Sequence, residues 1–133
     1  MITLQQIKLA HAKVKSGADF PAYISDLIKL GVKSYETRVD NGSTIFSTKY
    51  SVPLVSEGIQ PSRGVSSHVD RQRFISELKA HQQGRSGYPE FLSIAANTGI
   101  SKWIVDMNSM TCTYFDFLGN EILVEEIPKF SVQ

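Results

Sequence analysis

Phe20-Pro21-Ala22-Tyr23-Ile24-Ser25-Asp26-Leu27-Ile28-Lys29-Leu30-Gly31-Val32-Lys33-Ser34-Tyr35 reads as a helix, a stop and a strand in one run. Pro21 suits the first turn of a helix, where its missing N–H would find no intrahelical partner anyway. Tyr23, Ile24, Leu27 and Ile28 recur at helical spacing as an apolar stripe. Gly31 supplies a left-handed stop, and from Val32 the β-branched and aromatic residues favour a strand. The same order returns further along, from Tyr88-Pro89 through Gly99 to Trp103. Sliding the chain by 68 residues sets Ile7 on Ile75, Ala12 on Ala80, Pro21 on Pro89, Ser25 on Ser93 and Gly31 on Gly99. Tyr35 then falls on Trp103. This reads as an ααββ internal pseudo-repeat over 7–50 and 75–118. Two such halves sharing one antiparallel sheet, with about four helices on one face, give an α+β two-layer sandwich.

Outward from that stretch the local signals agree. Thr3-Leu4-Gln5-Gln6 is a capping box, and Leu4, Ile7, His11 and Val14 extend a first helix to about Lys15. Asn41-Gly42, between two strand-like runs, predicts a two-residue type I′ hairpin. The Pro-, Gly- and Ser-rich stretch 51–67 is a connection, with room for a short strand at 52–55. A third helix starts at Ser67-His68-Val69-Asp70, carries Phe74, Ile75, Leu78 and His81 or Gln82 on one face, and stops at Gly84. A fourth follows Tyr88-Pro89, with Phe91, Leu92, Ala95 and Ala96 inward and Gly99 as its end. Three strands, 102–107, 111–117 and 121–127, complete a meander. The expected organisation is a single α+β domain over 1–133, with halves 1–50 and 68–128.

Composition narrows the function. The chain has 133 residues, 41% hydrophobic and 20% charged, enough for a packed core without metals or disulfides. Fourteen basic against thirteen acidic residues leave a net charge of +1, which argues against nucleic acid as the main partner. One cysteine excludes an intramolecular disulfide and a cysteine-based zinc site. The three histidines fall on separate elements without ligand spacing, so no metal and no cofactor are expected. No apolar run approaches the roughly 18 residues of a membrane helix, and the N-terminus lacks the regions of a signal peptide. A cytoplasmic protein is the expectation.

Leu78-Lys79-Ala80-His81-Gln82-Gln83-Gly84, then Gly99-Ile100-Ser101-Lys102-Trp103-Ile104-Val105-Asp106, then Thr111-Cys112-Thr113-Tyr114-Phe115-Asp116 form an ordered series of motifs. Gly119-Asn120-Glu121 and Val124-Glu125-Glu126-Ile127-Pro128 continue it. Together they resemble the YdfO/YbcV-like group, small bacterial and prophage-borne proteins of unknown function, some labelled phage envelope protein. The resemblance implies an α+β fold, a cytoplasmic or prophage setting and no established activity.

The residues that could carry chemistry are few. His81 lies on an apolar stripe near a helix C-terminus, where the helix dipole favours a cation, with Gln82 beside it. Alternation places Trp103, Val105 and Met107 toward the helices and Lys102, Ile104 and Asp106 on the other face. Asp106, beside a turn, reads first as a turn cap. His81, Gln82, Trp103, Asp106 and Tyr114 are the candidate ligand-binding residues, and no residue is assigned a catalytic role. Glu125 and Glu126 are adjacent on a strand and face opposite ways, so they are not a catalytic pair. The preferred reading is a non-enzymatic module binding a small ligand or a protein, with a homodimer through an open sheet face as one form. The alternatives are a small enzyme with a pocket around His81 and Asp106 or Cys112, and weak nucleic-acid binding through Arg63, Arg71, Arg73, Lys79 and Arg85.

Overall fold

The computed structural model describes residues 2–50, 52–58 and 63–128. The helices are α1 (Leu4–His11), α2 (Phe20–Leu30), α3 (Arg71–Gln82) and α4 (Tyr88–Asn97), with a 3-10 turn at Gly17–Asp19 ahead of α2. The strands are β1 (Val32–Arg38), β2 (Thr44–Thr48), β3 (Leu54–Ser56), β4 (Ile100–Asp106), β5 (Thr111–Asp116) and β6 (Glu121–Glu126). They form one antiparallel sheet in the order β3-β2-β1-β4-β5-β6, an α+β fold. The first strands after the two helical pairs, β1 and β4, are therefore neighbours at the centre of the sheet. Part of the connection 51–67, namely 51 and 59–62, lies outside the described residues.

Capping explains most element ends. Thr3 and Gln6 bond each other's backbone N–H reciprocally at the start of α1. Asp70 accepts the N–H of Arg73 at 3.1 Å to start α3. Gly31 ends α2 with φ 101°, and Gly99 lies just beyond α4 at φ 90°. A Cβ on Gly99 would stand 2.6 Å from the His68 carbonyl oxygen, so this position needs glycine for both reasons.

Three local expectations are corrected. The first helix stops at His11 rather than near Lys15, because the Asp19 carboxylate takes the N–H groups of Lys15 (2.9 Å) and Ser16 (3.3 Å) for its own turn. Ile28 is exposed, leaving Tyr23, Ile24 and Leu27 as the buried stripe of α2. The Asn41-Gly42 connection is not a two-residue hairpin. Only Gly42 of the pair has positive φ (75°), and Arg38 N–H donates to the Ser43 carbonyl across the intervening four residues. The cause is Val39, which is fully buried and donates its N–H to the Ser101 carbonyl, so it follows β4 beyond the point where β2 leaves.

The core lies between helices and sheet. Phe74, Ile24, Leu27, Leu92 and Ile100 are wholly buried there. Burying each such side chain contributes about 1.5–3 kcal/mol. The opposite sheet face carries exposed Ile45, Val55 and Val124 together with the Lys102–Glu36 ion pair at 3.4 Å. Among the described residues, no helix is long and apolar enough to cross a membrane.

Candidate functional site

Strand parity decides which side chains face the helices. Tyr35, Thr37 and Val39 of the β1 run are buried, as are Trp103, Val105 and Met107 of the β4 run. The ladder register carries this parity across the sheet. One inward row runs Leu54, Phe46, Tyr35, Val105, Cys112, Glu125. The next runs Ser56, Thr44, Thr37, Trp103, Tyr114, Leu123.

Above these rows α1 packs on α2 and α3 on α4, and the two helical hairpins meet where the Gly17 turn abuts the C-terminal end of α3. Between hairpins and sheet lies a cleft of about 1070 Å³. Its floor is formed by side chains of both rows, and its walls include His11, Tyr23, His81, Gln82, Tyr88 and Phe91. Such a space matches the size and the largely aromatic lining of small-molecule sites.

Aromatic contacts make the wall continuous. Trp103 lies with ring centroids 5.6 Å from Phe91, 6.0 Å from Tyr114 and 6.5 Å from Tyr88. His11 meets the rings of Tyr23 (5.3 Å) and Tyr88 (6.0 Å) edge-on. His81 stacks on Phe91 at 4.4 Å with 11° between the planes. Its Nδ1 lies 3.0 Å from the Ser86 carbonyl and 3.2 Å from the Ser86 hydroxyl. A carbonyl only accepts, so Nδ1 carries a proton and donates it to the Ser86 carbonyl. Gln82 Nε2 donates to Glu125 Oε1 at 3.1 Å, joining the end of α3 to the edge strand.

Burial sets the ionisation of the cleft. It pushes the Tyr35 and Tyr114 phenols well above their ordinary range, and the Tyr88 phenol up to about 12 despite the hydrogen bond to Thr37. Cys112 is likewise pushed up to about 12 by burial, with the Glu125 charge adding in the same direction. Although part of His11 reaches solvent at the rim, enclosure of its ring holds its pKa below the ordinary value. At neutral pH the buried phenols and the thiol of the cleft are therefore neutral and able to donate hydrogen bonds.

Four of the five residues singled out from sequence, His81, Gln82, Trp103 and Tyr114, line this one cleft. Asp106 does not join them. It stands on the opposite sheet face, where Oδ1 accepts the N–H groups of Asn108 (2.8 Å) and Ser109 (3.2 Å) and holds the β4–β5 turn. The pairing of His81 with Asp106 is thus absent: the histidine is held by Ser86 instead. Cys112 does line the cleft, but as a thiol. Of the five basic residues, Arg63 donates to the Val39 carbonyl (3.0 Å) and Arg71 to the Ile122 carbonyl (2.8 Å), both bracing the fold. Arg73, Lys79 and Arg85 are exposed. Among the described residues, no group of three or more His, Cys, Asp or Glu is placed to hold a metal ion.

Sequence reasoning missed His11, Tyr23, Tyr35, Tyr88 and Glu125 as parts of this site. Parity could have found Glu125, which alternates inward with Leu123, and helical spacing from Leu4 and Ile7 could have found His11.

The model of a protein family described as "Protein of unknown function (DUF1398)" matches residues 8–126. Among curated relatives, the uncharacterized protein Mb2035 of Mycobacterium bovis is 29% identical over 98 residues, 72% of this chain and 59% of its own length. The uncharacterized proteins MT2067 and Rv2012 of Mycobacterium tuberculosis match with the same identity and coverage. The chain therefore spans less than two thirds of the length of these relatives. It belongs to the DUF1398 family.

Proposed function

We propose that this member of the family is a non-enzymatic binding module that holds a small, flat, largely apolar molecule in the cleft between its helical hairpins and its sheet. The observation that carries this reading is the cleft itself, about 1070 Å³ and lined by Trp103, Tyr114, Tyr35, Phe91 and His81. Stacked or edge-on rings favour a planar ligand, and neutral phenols donate to its oxygen or nitrogen acceptors. A non-enzymatic role is supported by the fate of the catalytic candidates. Asp106 is engaged in a turn, Cys112 is held as a thiol, and His81 is oriented by Ser86 rather than by a carboxylate. The setting we infer is cytoplasmic and prophage-borne, on the motifs that run from Leu78 to Pro128.

Native mass spectrometry of gently purified protein tests the reading. A reproducible added mass, lost on denaturation and weakened by Trp103→Leu, is the expected result. A bare protein that also fails to retain any member of an aromatic small-molecule panel overturns it.

A second reading rests on the open sheet face. Exposed Ile45, Val55 and Val124 and half-buried Ile104 share one row of the six-stranded sheet with Glu36 and Thr113, four apolar side chains on a face open to self-association. Sedimentation velocity decides it: a dimer abolished by Ile45→Lys supports this surface, and a monomer at all concentrations removes it.

A further inference from the structure

Resting on the reading of the cleft as a small-molecule site, we propose that its preferred ligand is an organic cation, with Glu125 as counter-ion and the aromatic wall as its cage. Glu125 sits in the inward row beside Cys112, on the wall of the cleft. Its carboxylate is met by the Gln82 amide, a neutral donor, at 3.1 Å. Among the described residues, no lysine, arginine or histidine forms an ion pair with it. The inward carboxylate thus faces the cleft without an ion-pair partner among the described residues. The charge is felt there, since it raises the pKa of both Cys112 and Tyr114.

A half-buried carboxylate without a cationic partner is costly unless something cationic accompanies it. The same cleft presents the rings of Trp103, Tyr114, Tyr35 and Phe91, whose faces carry the negative end of the aromatic quadrupole. Carboxylate and ring faces both favour a positive charge, and both disfavour a negative one. The opposing charges are weakly placed. Lys8, Lys15 and Lys79 belong to the rim and are exposed, where water and salt screen them. His11 on the wall is neutral at ordinary pH. The chemical class is a tertiary or quaternary ammonium borne on a planar aromatic body, because the size of the cleft far exceeds that of a bare ammonium head.

Three probes with one ring system and three charges separate the possibilities: (2-naphthylmethyl)trimethylammonium, its neutral carbon isostere 2-neopentylnaphthalene, and 2-naphthylacetate. Equilibrium dialysis against the folded protein should show the cation binding about tenfold or more tighter than the neutral isostere, and the anion weakest, since a cation in an aromatic cage gains on the order of 1–2 kcal/mol. Glu125→Gln should cut the cation's advantage over the isostere about threefold or more, the advantage that remains being that of the rings. The comparison within wild-type protein stands whether or not that variant folds. Equal binding of cation and isostere, or tighter binding of the anion, overturns the cation assignment and leaves the cleft reading intact. Failure of all three probes to bind removes both.

Discussion

Trp103 and Tyr114 stand directly opposite each other on β4 and β5, their ring centroids 6.0 Å apart, and both face the cleft. The pair joins sheet register to site geometry: the ladder that fixes β4 against β5 also fixes the aromatic floor. Tyr114→Phe keeps the ring and removes the hydroxyl. Stability should change by no more than about 1 kcal/mol, whereas affinity for a ligand that accepts from this phenol should fall about three- to tenfold. Urea unfolding and equilibrium dialysis on the same preparation read the two effects separately.

The enclosure of His11 predicts an acid-side loss of stability. Its folded pKa lies below the 6.5 of the unfolded chain, so on acidification the unfolded state takes up the proton first. The contribution of His11 is therefore fully present above 6.5 and declines as the pH falls from there toward the folded pKa. His11→Gln cannot take up that proton. Its unfolding midpoint should lose less than that of the wild type between pH 7 and pH 5, as measured by thermal melts in matched buffers. An identical decline in both proteins would contradict the assignment.

Cys112 should be slow to alkylate. With its pKa pushed up to about 12 from 9.0, the thiolate fraction at pH 8 drops roughly a thousandfold. Iodoacetamide labelling followed by intact mass should be slow in the native protein and fast in urea. Labelling at the rate of a free cysteine would contradict the raised thiol pKa, and labelling faster than that would reopen a nucleophilic role.

Gly99→Ala tests the junction between α4 and β4. The left-handed φ of 90° and the approach of a Cβ to the His68 carbonyl at 2.6 Å act together. A loss of roughly 2–4 kcal/mol is expected from the two. Guanidinium denaturation with an unchanged m-value would confirm a folded-state cause.

Much of this architecture is legible in the sequence where a local rule has no competitor. The helix at Phe20–Leu30 carries its stripe, its proline and its glycine stop within one run, and those signals act over a few residues. The inward parity of Trp103, Val105 and Met107 follows from strand alternation alone, and so does the placing of Asp106 on the far face. Where tertiary contacts compete, local signals fail. Val39 is drawn onto Ser101, and the Asn41-Gly42 turn opens in consequence. The central β1–β4 pairing has no local signature at all, because it joins Tyr35 to Val105 across seventy residues of chain. Without it, the convergence of Tyr23, Tyr35 and Tyr88 with Trp103 and His81 on one cleft could not be read from composition or spacing.

The emission of Trp103, the chain's one tryptophan, gives the most direct test of the cleft as a ligand site. Titrated with a panel of non-fluorescent planar aromatic molecules, including cationic members, the wild-type protein should show a saturable change in emission for at least one of them. Cys112→Phe, which projects a larger ring into the cleft, should weaken that response, and Asp106→Asn, on the opposite face, should leave it unchanged. A folded protein with no saturable response to any member, or an equal response in Cys112→Phe, would contradict the account.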